Sequence, residues 1–293
     1  MKRFIFTAAL AALSIGITAC NKDSGGKGGG KSISISGSNT MAQVATAWAE
    51  KFHEDTGVKP SVAGGGSSIG IKALEEGGID ICTSSRSMKD PEKATIKEKR
   101  GKEVKEFVVG YDALAVFVNP ANPLKEISVE QLKEIYVEGG SISTWEQVGP
   151  GGLTGKIEAL GRESTSGTYE FIHDVVLGKN AAGEKNKFRT TVAPQSSSQA
   201  IIDNLATIKN AIGYDGMAFT SSKVKQVAVS KKTGEPSVMP GADDARSGKY
   251  PLARKLYLYT VGEPEGSVKA FIDFALSAEG QKLLSEIGYV SLK

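Results

Sequence analysis

The chain has 293 residues, 40% of them apolar and 24% charged, a balance that fits a soluble globular protein and excludes a disordered or fibrous one. Lys and Arg number 36 against 33 Asp and Glu; without Lys2 and Arg3 at the extreme start, 34 basic residues face 33 acidic ones. So even a balance gives no argument for nucleic acid or an acidic surface as partner, and two cysteines with two histidines make neither a disulfide framework nor a zinc cluster.

Residues 1–19, "MKRFIFTAALAALSIGITA", set a basic start before an apolar run of the length of a secretory signal. The small residues of "ITAC" before Cys20 resemble the lipobox of bacterial lipoproteins. That resemblance implies cleavage at Cys20, acylation of its thiol and a membrane-lipid anchor holding the protein on the periplasmic or outer face of a membrane; an ordinary signal with an incidental cysteine is the alternative. Residues 20–31, "CNKDSGGKGGGK", continue as a glycine-rich tether with too little apolar surface to fold. With Cys20 acylated, Cys82 has no disulfide partner, and its setting "GGIDICTSS" predicts a buried strand and a core thiol.

"KSISISGS" alternates and stops at Gly37, as a strand running into a turn does. From Met41, the residues Val44, Ala45, Trp48 and Phe52 recur at helical spacing; Ser38, Asn39 and Thr40 are available to cap the first turn, and Gly57 marks the end. "VKPSVA", "SSIGIKALEEGG" and "IDICTSS" then predict strand, serine-started helix and strand. "DPEKATIKEKRG" predicts a helix with Asp90 as cap, Pro91 at its first position and Gly101 past its end. The long apolar stretch "KEFVVGYDALAVFVNP", broken by Gly110, predicts a strand able to pass from one lobe to another, and "YPLARKLYLYT" predicts a second able to return. Between them, "SVEQLKEIYVEG" predicts a helix, "KIEALGRESTSGTYEFIHDVVLG" a strand, polar turn and helix, and "SSSQAIIDNLATIKNAIGY" a serine-capped helix before a buried strand. "SVKAFIDFALSAEGQKLLSEIGY" closes with two helices. This alternation predicts an α/β protein of mostly parallel sheets flanked by helices, with lobe 1 at residues 32–118 plus 250–293 and lobe 2 at 119–249.

In open α/β sheets, ligands gather beyond the carboxyl ends of the strands, where helix N-termini also point. The polar runs "SGSNTM", "GGGSSIG" and "GRESTSGT" all fall at such junctions. A helix start offers unpaired N–H groups and partial positive charge; three of them, with serine and threonine hydroxyls and the fixed donor fork of Arg162, describe a dry pocket for a tetrahedral anion. Each run taken alone also reads as a simple N-cap. The dinucleotide fingerprint, the P-loop and the nucleophile elbow are absent. His53 and His173 both fall in amphipathic helices and read as surface or packing residues, so the enzymatic alternative, a hydrolase or phosphatase using a serine from one of these loops, lacks the histidine base or metal cluster such chemistry needs. No cofactor or metal is expected.

"SGSNTM…W", "GGGSSIGIKAL", "DICTSSR" and "GRESTSGT", in this order, closely resemble the phosphate-binding subunit of the bacterial phosphate ABC transporter, over residues 32–293. The resemblance implies the two-lobed periplasmic binding protein fold (type II) and a non-enzymatic, monomeric receptor that traps inorganic phosphate between its lobes and passes it to the ABC permease subunits. It also implies a site formed by the Thr40 hydroxyl and Met41 N–H, by Ser67, and by Arg162, Ser166, Gly167 and Thr168, with Ser38, Ser85 and Arg86 completing the set. One position departs from the pattern: many members carry an aspartate where Ser85 stands, accepting the hydrogen of a protonated phosphate and repelling sulfate. Glu163 is either such an acceptor or an ion-pair partner for Arg162. The departure leaves room for a receptor of sulfate, arsenate or tungstate, and a phosphate-sensing lipoprotein without a transport role is the remaining reading.

Overall fold

These periodicities become a two-lobed α/β fold in the computed structural model, which describes residues 32–149 and 153–293. The signal, Cys20 and the tether lie outside the described residues. Strand β1 (Ser34–Gly37) leads into α1 (Asn39–Thr56), which buries Met41, Val44, Trp48 and Phe52 along one face. Trp48 Nε1 donates to the Gly280 carbonyl at 2.8 Å, and Gly57 ends the helix in the left-handed region at φ 76°. β2 (Ser61–Ala63), α2 (Ser67–Glu76), β3 (Ile81–Ser84) and α3 (Asp90–Arg100) follow in the expected order. α3 starts at Asp90 rather than after it, because the Glu92 carboxylate turns back to accept the Lys89 N–H at 2.8 Å.

The chain continues through β4 (Val104–Val118), β5 (Glu126–Ser128), α4 (Val129–Tyr136), β6 (Glu158–Arg162) and α5 (Gly167–Ile172), which runs on into a π-helical turn at His173–Leu177. Then come β7 (Ala193–Gln195), α6 (Ser198–Thr207), β8 (Ala211–Gly216), β9 (Lys225–Ser230), α7 (Ala242–Arg246), β10 (Ala253–Val261), α8 (Gly266–Leu276) and α9 (Ala278–Glu286).

The strands lie in the order β2-β1-β3-β10-β4-β8-β6-β7, with β5 pairing β9 and β9 pairing β4. Every antiparallel pairing among the named strands includes β4 or β10, and the others are parallel. β4 pairs with β10 from Val104 to Ala113 and then, from Leu114 to Val118, with β8 and β9. It therefore joins two cores: it gives Val109 to one, with Trp48, Phe52 and Phe271, and Val116 and Val118 to the other, with Trp145 and Tyr214. Gly110 marks the passage. A Cβ there would lie 2.7 Å from Leu284 Cδ1, and the opposing register slips between Leu256 and Tyr257, as at a bulge. Cys82 is a buried core thiol packed with Ile71 and Met88, and burial pushes its pKa up to about 12.

α2 rests directly on the backbone of β1. A Cβ at Gly70 would lie 2.5 Å from Gly37 Cα and 2.8 Å from the Ser36 carbonyl oxygen. Gly70→Ala should therefore cost about 1–3 kcal/mol through overpacking, seen as a lower urea midpoint at an unchanged slope. A wild-type midpoint would contradict this close approach.

Candidate functional site

The site begins where β1 ends. Gly37 allows that turn because any Cβ would sit 2.0 Å from the Thr83 carbonyl oxygen, and the close approach brings the Ser38 N–H onto the same oxygen at 2.9 Å. Ser38 Oγ donates to Ser85 Oγ at 3.0 Å, and the Ser85 N–H donates to Ser67 Oγ at 3.2 Å. Asn39 Oδ1 accepts the Gly65 N–H at 2.7 Å. Three loops far apart in sequence thus form one hydroxyl-rich wall, at the carboxyl ends of β1 and β3 and the starts of α1 and α2. The Met41 N–H faces the Ser38 carbonyl oxygen at 3.2 Å, while its side chain is buried in the core.

The opposite wall is built on β6, which ends at Arg162. Arg162 Nη1 donates to Asp215 Oδ2 at 2.9 Å and to Ser198 Oγ at 2.7 Å. Asp215, at the end of β8, also accepts Ser198 Oγ at 3.0 Å and the Gly216 N–H at 2.8 Å through Oδ1. Arg162 Nε is buried with no partner among the described residues, a costly state for a donor unless something accepts from it. Ser166 Oγ caps α5 by accepting the Thr168 N–H at 3.2 Å.

The two walls touch at Thr40 and Gly167. A Cβ on Gly167 would lie 2.6 Å from Thr40 Cα, and Thr40 Oγ1 lies 3.4 Å from the Gly167 carbonyl oxygen and 3.5 Å from Glu170 Oε2. Arg254 meets the same hydroxyl: Nη2 donates to Thr40 Oγ1 at 2.8 Å, while Nε and Nη2 each lie 3.2 Å from Asp112 Oδ2. The Arg254 guanidinium also stands 4.4 Å from the centre of the Phe171 ring.

A cavity of about 310 Å³ brings together Thr40, Arg162, Ser166, Gly167 and Thr168, with Asp112 and Asp215 also on its wall. A neighbouring cavity of about 750 Å³ takes Ser67, Ser85 and Arg86, with Glu170 and Arg254. Thr40, on the first, is bonded to Glu170 and Arg254 on the second, so the expected set straddles one contact rather than filling one chamber. Ser38 is buried behind it. Arg86 is already engaged, with Nη1 and Nη2 on the Glu92 carboxylate at 2.9 and 2.8 Å and Nη2 also on Ser68 Oγ. Glu163 is exposed, and the carboxylate that holds Arg162 is Asp215.

Burial raises the pKa of Asp215, with Arg162 opposing the rise. Burial also raises that of Asp112, against the pull of Arg254 and with a push from the Asp215 charge. Such an arrangement offers a fork, hydroxyls and fixed carboxylates, and among the described residues it sets no nucleophile beside a base. His53 is exposed, and His173 Nε2 sits 2.8 Å from the Asn186 carbonyl oxygen.

Asp112, Asp215, Glu170 and Arg254 are the residues the sequence reading misses. The signal was present for two of them: Asp112 is the lone charge in "VVGYDALAVFV" and Asp215 directly follows the buried "AIGY", and a charge inside an apolar strand needs a partner.

A family model described as a PBP superfamily domain matches residues 22–279. The phosphate-binding protein PstS of Pseudomonas aeruginosa is 32% identical over 297 residues, covering 97% of this chain and 89% of that protein. Among solved structures, a possible phosphate binding protein from Planctomyces limnophilus has a TM-score of 0.78 at 28% identity, covering 90% of this chain and 94% of that one. An ABC-type phosphate transport receptor from Vibrio cholerae has a TM-score of 0.72 at 28% identity, covering 89% and 99%. The chain therefore belongs to the PBP superfamily and, within it, to the PstS-like phosphate-binding proteins, a family of substrate receptors rather than enzymes.

Proposed function

We propose that this protein captures inorganic phosphate outside the cytoplasm and delivers it to an ABC permease. The observation that carries this reading is Arg162: a guanidinium tied by Asp215 on one side, with a buried Nε lacking a protein acceptor, on the wall of a cavity that also holds Thr40 of the facing lobe. The Asp215 carboxylate fixes the fork, and the remaining donors suit the paired oxygens of a tetrahedral anion. Lobe 1, residues 32–118 and 250–293, contributes Thr40, the Met41 N–H, Ser67 and Ser85. Lobe 2, residues 119–249, contributes Arg162, Ser166, Gly167 and Thr168.

The lobes are joined by β4 and β10, and an anion touching both makes contacts that separated lobes cannot. That differential affinity shifts the population toward the closed form, and the closed surface is what the permease would recognise. Acylation of Cys20, followed by the tether 21–31, would keep a monomeric receptor at the membrane while leaving its lobes free to rotate.

Calorimetric titration of the ligand-stripped protein should show one phosphate per chain and much weaker sulfate binding. Equal affinity for both would replace a phosphate receptor with a general oxyanion receptor. Arg162→Lys keeps a charge beside Asp215 and loses the fork, so phosphate affinity should fall by roughly tenfold or more while the melting temperature stays close to wild type. Undiminished affinity would place the anion elsewhere. Cys20→Ser should shift the protein from the membrane fraction to the soluble one, and its retention with the membrane would remove acylation as the anchor.

A further inference from the structure

Two buried carboxylates, Asp112 and Asp215, stand on the wall of the cavity that also holds Arg162 and Thr40. Their lone pairs are used differently. Asp215 is saturated from the protein side, with Oδ2 taken by Arg162 and Oδ1 by the Ser198 hydroxyl and the Gly216 N–H. Asp112 accepts both Arg254 bonds on Oδ2, and no donor reaches Oδ1 among the described residues. Asp112 and Arg254 are direct cross-strand partners in the β4–β10 register. Their carboxylate is therefore fixed on the strands that join the two cores. Arg254 also donates to Thr40 Oγ1, which places Asp112 one residue removed from a hydroxyl proposed to hold the anion.

A carboxylate oxygen against an oxyanion in a water-poor cavity is repulsive unless a hydrogen lies between them. Hydrogen phosphate and hydrogen arsenate carry such a hydrogen at neutral pH, and sulfate does not. Position 85 brings no carboxylate to make this distinction, since Ser85 is bonded to Ser38 and Ser67. We infer that Asp112, oriented by Arg254, is the specificity-determining acceptor of this site: its Oδ1 takes the hydrogen of a protonated tetrahedral oxyanion and rejects the fully ionised one. This rests on the phosphate-receptor reading above. Its substrate class is accordingly narrower than tetrahedral anions in general, namely those with a hydrogen to give.

The test is calorimetry with phosphate, arsenate and sulfate on the protein and on Asp112→Asn. The unaltered protein should prefer phosphate and arsenate over sulfate alike, and Asp112→Asn should lose roughly tenfold or more of that preference, because an amide can donate to sulfate where a carboxylate repels it. Phosphate binding with an unchanged ratio in Asp112→Asn overturns the role of Asp112 and leaves the receptor reading intact. No phosphate binding by the unaltered protein overturns the receptor reading, and this inference with it. Monofluorophosphate, a tetrahedral dianion with no hydrogen to donate, makes the same test without any substitution. It should bind as weakly as sulfate, and affinity equal to that of phosphate overturns the proposal even where Asp112→Asn fails to fold.

Discussion

The approach of Gly167 to Thr40 sets the geometry on which the rest of the cleft depends. A Cβ on Gly167 would fall 2.6 Å from Thr40 Cα, so the start of α5 can reach the start of α1 only through glycine. Each wall is rigid for its own reason. On one side Ser38, Ser67 and Ser85 bond to each other and Asn39 holds Gly65; on the other Asp215 and Ser198 lock Arg162. Two preorganised surfaces already in contact need little further ordering to grip a small ion between them.

The electrostatic logic follows from burial. Arg162 and Arg254 both lie deep in the cleft, where an unpaired charge is expensive, and each is given a carboxylate from a strand end or a cross-strand neighbour. The pairs are not equivalent. The hydrogen bonds of Asp215 orient Arg162, Ser198 and its own turn, whereas Asp112 takes its donors on Oδ2 and has none on Oδ1 among the described residues. Breaking either pair by truncating one partner should cost about 3–5 kcal/mol, so substitutions that preserve either shape or charge are the informative ones here.

Much of this was legible in the sequence, because strong local signals coincide with the site. The spacing of Val44, Trp48 and Phe52, the glycine at 57 and the hydroxyls before each helix set the β-α-β-α-β opening, and the residues proposed for the site sit in those same turns and in the one after β6. What could not be read was long-range. Nothing local in "TSSR" says that Ser85 bonds Ser38, or that Arg86 is spent on Glu92. Glu163 adjoins Arg162 in the chain, yet the parallel pairing of β6 with β8 brings Asp215 to it instead. β5 and β7 have three residues each, too few for a period to show, and β9 takes its place through pairing with β4 and β5 rather than through any turn signal of its own.

The account stands or falls on one anion bridging both walls at the Thr40–Gly167 contact, and a crystal structure of the protein grown with phosphate measures that directly. A single tetrahedral ion should lie within hydrogen-bond distance of Thr40 and Ser67 on one side and of Arg162 and Thr168 on the other. An ion held by residues of one lobe alone, or seated in the cleft away from Arg162, would contradict it.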